Sequence, residues 1–157
     1  MSERQHARHD AWERAPSGQL DDPWCDRSPR RGETLRGDAL PDLSGRRILV
    51  VEDSYFIATD IASALTEAGA RVLGPCPSEH AARDMLAQEA PTHAVVDLNL
   101  DEGGPRFNVA HLLRSRGVPF LFVTGYDFAA LAPEFADVVC LQKPLSYVAV
   151  IHAICGL

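Results

Sequence analysis

Lysine is almost missing from this sequence. Of fifteen basic residues fourteen are Arg and one, Lys143, is Lys. An ammonium on a flexible stem is chemically unlike a planar guanidinium fork, so the exception marks a position that the fork does not fit. An excess of positive charge is missing too: the formal net charge is −7, which argues against non-specific nucleic-acid binding, because phosphate contacts need a basic face. Cysteine is sparse and scattered. Cys25, Cys76, Cys140 and Cys155 form no C-x-x-C pair and have no His at metal spacing, so free thiols are expected rather than a zinc site or disulfide framework. Long apolar runs are absent as well. Val118-Pro119-Phe120-Leu121-Phe122-Val123 falls far short of the roughly 20 residues of a membrane span, and the N-terminus has no apolar signal core. A cytoplasmic protein without a membrane partner is expected.

What is present divides into two textures. Residues 1 to 44 mix seven Arg with nine acids, carry Pro16, Pro23, Pro29 and Pro41 and show no sustained apolar period. Such a stretch cannot bury enough surface to order itself, and a disordered N-terminal extension without a selected role is expected, Trp12 and Trp24 being the residues in it that could dock on a partner. From residue 45 to 157, short β-branched runs alternate with helical patterns. Strands are expected at Arg47 to Val51, Arg71 to Leu73, His93 to Val96, Phe120 to Val123 and Val138 to Leu141. Between them come a helix capped by Ser54 with Ile57, Ile61, Ala64, Leu65 and Ala68 inward, and one capped by Ser78 with Ala81, Ala82, Met85 and Leu86 inward. A third runs from Phe107 to Arg116 with Val109, Leu112 and Leu113 inward, and a fourth, short or broken, precedes strand five. A terminal helix from Leu145 to Cys155 places Val148, Ile151 and Ile154 inward, and no further domain is expected after it.

Strands alternating with helices imply a doubly wound α/β fold with a parallel sheet covered on both faces, of flavodoxin-like (βα)5 type and strand order 2-1-3-4-5. Ligands of such sheets bind beyond the carboxyl ends of the strands. That edge is where the polar residues fall. Glu52 and Asp53 follow strand one, Asp97 follows strand three, Thr124 follows strand four and Lys143 follows strand five.

Three carboxylates about 5 Å apart repel by roughly 3 kcal/mol per pair at an effective dielectric near 20. A hard divalent cation neutralises them. Mg²⁺ binds through one or two carboxylates, waters and a phosphate oxygen, so Glu52 and Asp53 are the expected holders, with the Asn99 carbonyl nearby. Asp97 then serves as a nucleophile toward a phosphoryl group, Thr124 donates its hydroxyl to one phosphate oxygen and Lys143 pairs with another.

This set, Glu52-Asp53, Asp97, Thr124 and Lys143-Pro144 in that order, resembles the receiver domain of two-component response regulators over residues 46 to 157. The resemblance implies a single-domain response regulator, not an enzyme, whose Asp97 takes a phosphoryl group from a sensor histidine kinase or phosphotransfer protein with Mg²⁺ required. Phe122-Val123-Thr124-Gly125-Tyr126 further resembles the signature of the FATGUY group of single-domain receivers, associated with HWE-type kinases. Three positions depart from the common receiver pattern: Cys140 stands where an aromatic switch residue is usual, Gly125 where Ala is common, and Asp101 where Pro is common. Activation is therefore expected to order the Gly125-to-Ala136 segment around the phosphate, with Tyr126 taking the aromatic's part.

Three other readings of these residues fare less well. A haloacid-dehalogenase-type phosphohydrolase shares the aspartyl nucleophile, yet it needs a second Asp where this chain has Asn99, which cannot transfer a proton in that way. A flavodoxin-like cofactor binder needs phosphate-cradling donors after strand one, where Glu52-Asp53 repel an anion. A receiver-like module that is never phosphorylated leaves the full set of acceptor, metal and clamp residues without a use.

Overall fold

The computed structural model describes residues 39–100, 105–125 and 133–157. The expected disorder of the N-terminal extension falls mostly outside them, and Trp12, Trp24, Cys25, Asp101 and Tyr126 do so entirely. The order of elements is β1 (Arg47–Val51), α1 (Tyr55–Glu67), β2 (Arg71–Cys76), α2 (Glu79–Gln88), β3 (His93–Asp97), α3 (Asn108–Ser115), β4 (Phe120–Thr124), a 3-10 turn (Pro133–Phe135), β5 (Cys140–Gln142) and α4 (Tyr147–Gly156). All five strands are parallel, in the order 2-1-3-4-5, as the alternation of strand and helix patterns requires. The expected fourth helix lies largely outside the described residues, which show only the 3-10 turn there.

Side chains alternate across each strand, so one sheet feeds two cores. Leu49, Val51, Ala94, Val96, Phe120 and Phe122 face α2 and α3. Ile48, Val50, Val95, Leu121 and Val123 face α1 and α4 together with Ile61, Leu65, Ile151 and Ile154. Each large apolar side chain removed from water contributes on the order of 2 kcal/mol. Leu43, ahead of β1, is fully buried in the second core. Its N–H donates to the Ala68 carbonyl at 2.7 Å. Gly69 closes α1 with φ of +93°, and a Cβ there would lie 2.7 Å from Ser44 Oγ, so both conformation and space call for glycine.

Three local expectations need correction. Strand five begins at Cys140, not Val138: the Val139 carbonyl accepts from Phe122 N–H, but Val139 is 41% exposed. The last helix starts at Tyr147 rather than Leu145, and although Ile151 and Ile154 are buried as expected, Val148 is exposed and Val150 takes the inward position. Ser54 takes the N-cap position of α1 without a side-chain cap bond, whereas Ser78 caps α2 by accepting from Ala81 N–H.

Candidate functional site

Four polar residues meet at the carboxyl edge of the sheet. Glu52 leaves β1 directly and Asp97 is the last residue of β3, and because β1 and β3 are hydrogen-bonded neighbours the two acids adjoin. Both are buried, at 2% and 1% exposure. Asp53 is exposed, and one oxygen from each of the three carboxylates falls within 4.8 Å of the others. Lys143 reaches in from the end of β5. Its Nζ lies 2.8 Å from Asp97 Oδ2, 2.8 Å from Glu52 Oε2 and 3.1 Å from Glu52 Oε1.

Backbone donors complete the frame. Asn99 N–H donates to Asp97 Oδ1 at 2.9 Å and Ser54 N–H donates to Glu52 Oε1 at 3.1 Å. Thr124 is buried at the end of β4, one residue beyond Val123, the partner of Asp97 in the ladder. Its carbonyl accepts from Lys143 N–H at 2.8 Å, which joins the two strand ends that carry the expected hydroxyl and ammonium. Gly125 comes next with no left-handed φ, and a Cβ there would make ordinary contact with Asn99 Nδ2 at 3.6 Å, so neither conformation nor space requires glycine.

One ammonium against three carboxylates leaves the pocket short of positive charge. Burial pushes Glu52 above the ordinary carboxyl range, with Lys143 opposing and Asp97 adding to the rise. For Lys143, burial works against the charged form, but hydrogen bonds to Asp97 and Glu52 outweigh it and hold the ammonium above its usual range. Two buried oxygens, Glu52 Oε2 and Asn99 Oδ1, lack a hydrogen bond, although the first is in charge contact with Lys143. An acidic, oxygen-only donor set with unused lone pairs fits a hard divalent cation held by Glu52, Asp53 and Asp97.

The face of the sheet beneath Thr124 is aromatic. Phe122 contacts Phe135, ring centroids 5.4 Å apart, and Phe135 stacks on Phe107 at 5.3 Å. Arg114 sits 4.6 Å above the Phe135 ring. Cys140, the ladder partner of Phe122, is half-buried against this cluster, and burial pushes its thiol upward, away from reactivity. Sequence reading missed the filling of this volume by Phe107, at the N-cap of α3, and Phe135, in the 3-10 turn. It also missed the backbone donors of Ser54 and Asn99, which carry no residue signature.

No family model matches the sequence and no curated protein matches it. Solved structures do. The response regulator PhyR from Brucella abortus matches with a TM-score of 0.64 at 22% identity, over 73% of this chain and 47% of that one, so this chain spans about half the length of that protein. The receiver domain of PhyR from Erythrobacter litoralis matches with a TM-score of 0.64 at 20% identity, over 72% of this chain and 89% of that domain. SdrG from Pseudomonas melonis Fr1, in its BeF3-activated conformation, matches with a TM-score of 0.61 at 29% identity, over 69% of this chain and 92% of that one. The fold is the one these response-regulator receiver domains share.

Proposed function

We propose that this chain, a receiver fold with three carboxylates and one ammonium at its carboxyl edge, is a single-domain response regulator phosphorylated on Asp97. The carrying observation is Lys143 Nζ at 2.8 Å from both Asp97 and Glu52. That contact holds the Asp97 carboxylate in place and leaves an ammonium beside it for a phosphoryl oxygen. The BeF3-activated state of a neighbour 29% identical supports the reading.

In this reading a phosphohistidine on a sensor kinase or phosphotransfer protein is the donor. Its P–N bond breaks as an Asp97 oxygen forms the new P–O bond, and the imidazole leaves with its electron pair. Glu52, Asp53 and Asp97, with the Asn99 carbonyl, hold Mg²⁺, which supplies charge neutralisation for the incoming phosphoryl oxygens. Lys143 exchanges part of its contact with Asp97 for a phosphoryl oxygen and Thr124 donates to another. The chain is then a phosphoryl acceptor rather than an enzyme of steady turnover, acting in the cytoplasm, with residues 45–157 as the receiver and 1–44 as an extension. Tyr55 and Phe56 are 76% and 79% exposed, in edge contact at 5.8 Å, two and three residues after Asp53. Their position suits apolar contact with the donor protein at the rim of the pocket.

The test is treatment of the full chain with a small acyl-phosphate donor, read by intact mass. A gain of about 80 Da, the rough mass of one phosphoryl group, that needs Mg²⁺ and vanishes in Asp97→Asn is expected. No gain in the wild type with Mg²⁺ present, from the donor or from a panel of autophosphorylated histidine kinases, would overturn the proposal.

A further inference from the structure

At the opposite end of β3 from Asp97, a half-buried polar group has its protons assigned by geometry. Arg46, just ahead of β1, donates from Nη1 to the Ile154 carbonyl and from Nη2 to the Cys155 carbonyl at 3.3 Å. These carbonyls belong to the last turn of α4, where the Ile154 carbonyl has a long bond of 3.4 Å from Leu157 N–H and Arg46 supplies a further donor. Nη1 also lies 3.1 Å from His93 Nε2. A guanidinium only donates, so Nε2 must accept and carries no proton.

The other ring nitrogen is equally constrained. His93 Nδ1 lies 3.0 Å from Thr92 Oγ1. That hydroxyl spends its own proton on the Arg47 carbonyl at 3.1 Å and accepts from Arg47 N–H at 2.9 Å. Nδ1 therefore holds the single ring proton, and the imidazole is the neutral Nδ1–H tautomer. A second proton has one place to go, Nε2, where it would point at an N–H of a cation.

We infer that Arg46 and His93 form an acid-released latch on the C-terminal turn of α4. Protonation of the ring removes the acceptor that steadies Arg46, sets two cations side by side and frees the Ile154 and Cys155 carbonyls. The charge that acts on the ring is that of Arg46, and it opposes protonation. β1 brings the backbone of Arg47, and Pro119 and Phe120, at the entry to β4, lie beside Ala94. α4 brings its carbonyls, with His152 and Cys155 exposed on its outer side.

The direction of titration agrees. Burial, and then the Arg46 charge, push His93 below its usual 6.5. The fold prefers the neutral ring, so the latch contributes stability above the unfolded value and loses it as pH falls through the lower, folded value. The device is independent of phosphoryl transfer, yet it acts on the helix that starts four residues after Lys143.

The test uses the full chain between about pH 7.5 and about pH 5, with His93 ring nitrogens followed by NMR and α4 amides by hydrogen exchange corrected for intrinsic rate. His93 is expected to titrate below 6.5, with protection of Ala153 to Gly156 falling about fivefold along the same curve. His93→Gln keeps an acceptor without a titration, and its α4 protection should stay level across the range. Arg46→Met should lose that protection at both ends and let His93 titrate higher. Titration of His93 at or above its usual value with Arg46 in place, or an equal fall in wild type and His93→Gln, would overturn the latch.

Discussion

The two edges of the sheet each hold one basic side chain against acceptors, and they solve that problem oppositely. At the amino edge, Arg46 meets two carbonyls and a neutral imidazole, and each nitrogen of His93 has its partner. At the carboxyl edge, Lys143 meets two buried carboxylates, a third stands nearby, and Glu52 Oε2 and Asn99 Oδ1 lack hydrogen bonds. Satisfied polar groups around one charge hold a helix in place. A charge surplus with unused lone pairs holds a place for something else, because an unpaired buried polar atom is costly and persists where a ligand completes it.

The sharpest way to break this contrast is Lys143→Met. It leaves buried carboxylates without their cation, and urea unfolding without metal should show a loss of about 3 kcal/mol, a large part of which Mg²⁺ should restore. Asp97→Asn acts in the other direction. Removing one like charge beside Glu52 should raise metal-free stability by on the order of 1 kcal/mol while shrinking the stabilisation that Mg²⁺ adds. Arg46→Met at the opposite edge should cost less than about 1 kcal/mol and leave Mg²⁺ affinity unchanged by calorimetry. A change in affinity there would show that the edges are coupled.

The smallest expected effect is in pH. Burial holds Glu52 above the ordinary carboxyl value of 4.5, so protons compete with the cation there sooner than at an exposed Glu. Mg²⁺ affinity should weaken a few-fold on acidification while pH is still above that value. Lys143 works at the other extreme: its contribution is complete below 10.5 and is lost as pH rises through its higher folded value.

Much of this was legible in the residues. The apolar runs placed four strands within a few residues, and the polar residue closing each run named the acids, the hydroxyl and the ammonium. The lone Lys was informative because a chain that otherwise relies on Arg for positive charge would have used Arg there too, had charge been the sole requirement. Errors fell where local pattern is degenerate. Val138 and Val139 have strand character, but the ladder with β4 selects Cys140–Gln142. Val148 and Val150 are both plausible inward residues until packing fixes the phase of α4. The amide donors of Ser54 and Asn99 and the Arg46–His93 contact were unreadable, since any residue supplies an N–H and Arg46 pairs across 47 positions.

The sequence by itself determined which segments are strands, through the period of their apolar residues, and which side chains end them, because chain order alone sets the residue after each strand. Tertiary structure decided that Glu52 and Lys143, 91 positions apart, touch. Only the parallel order of the strands brings all their carboxyl ends to one side, and only burial there sets two acids and a lysine in direct contact away from water.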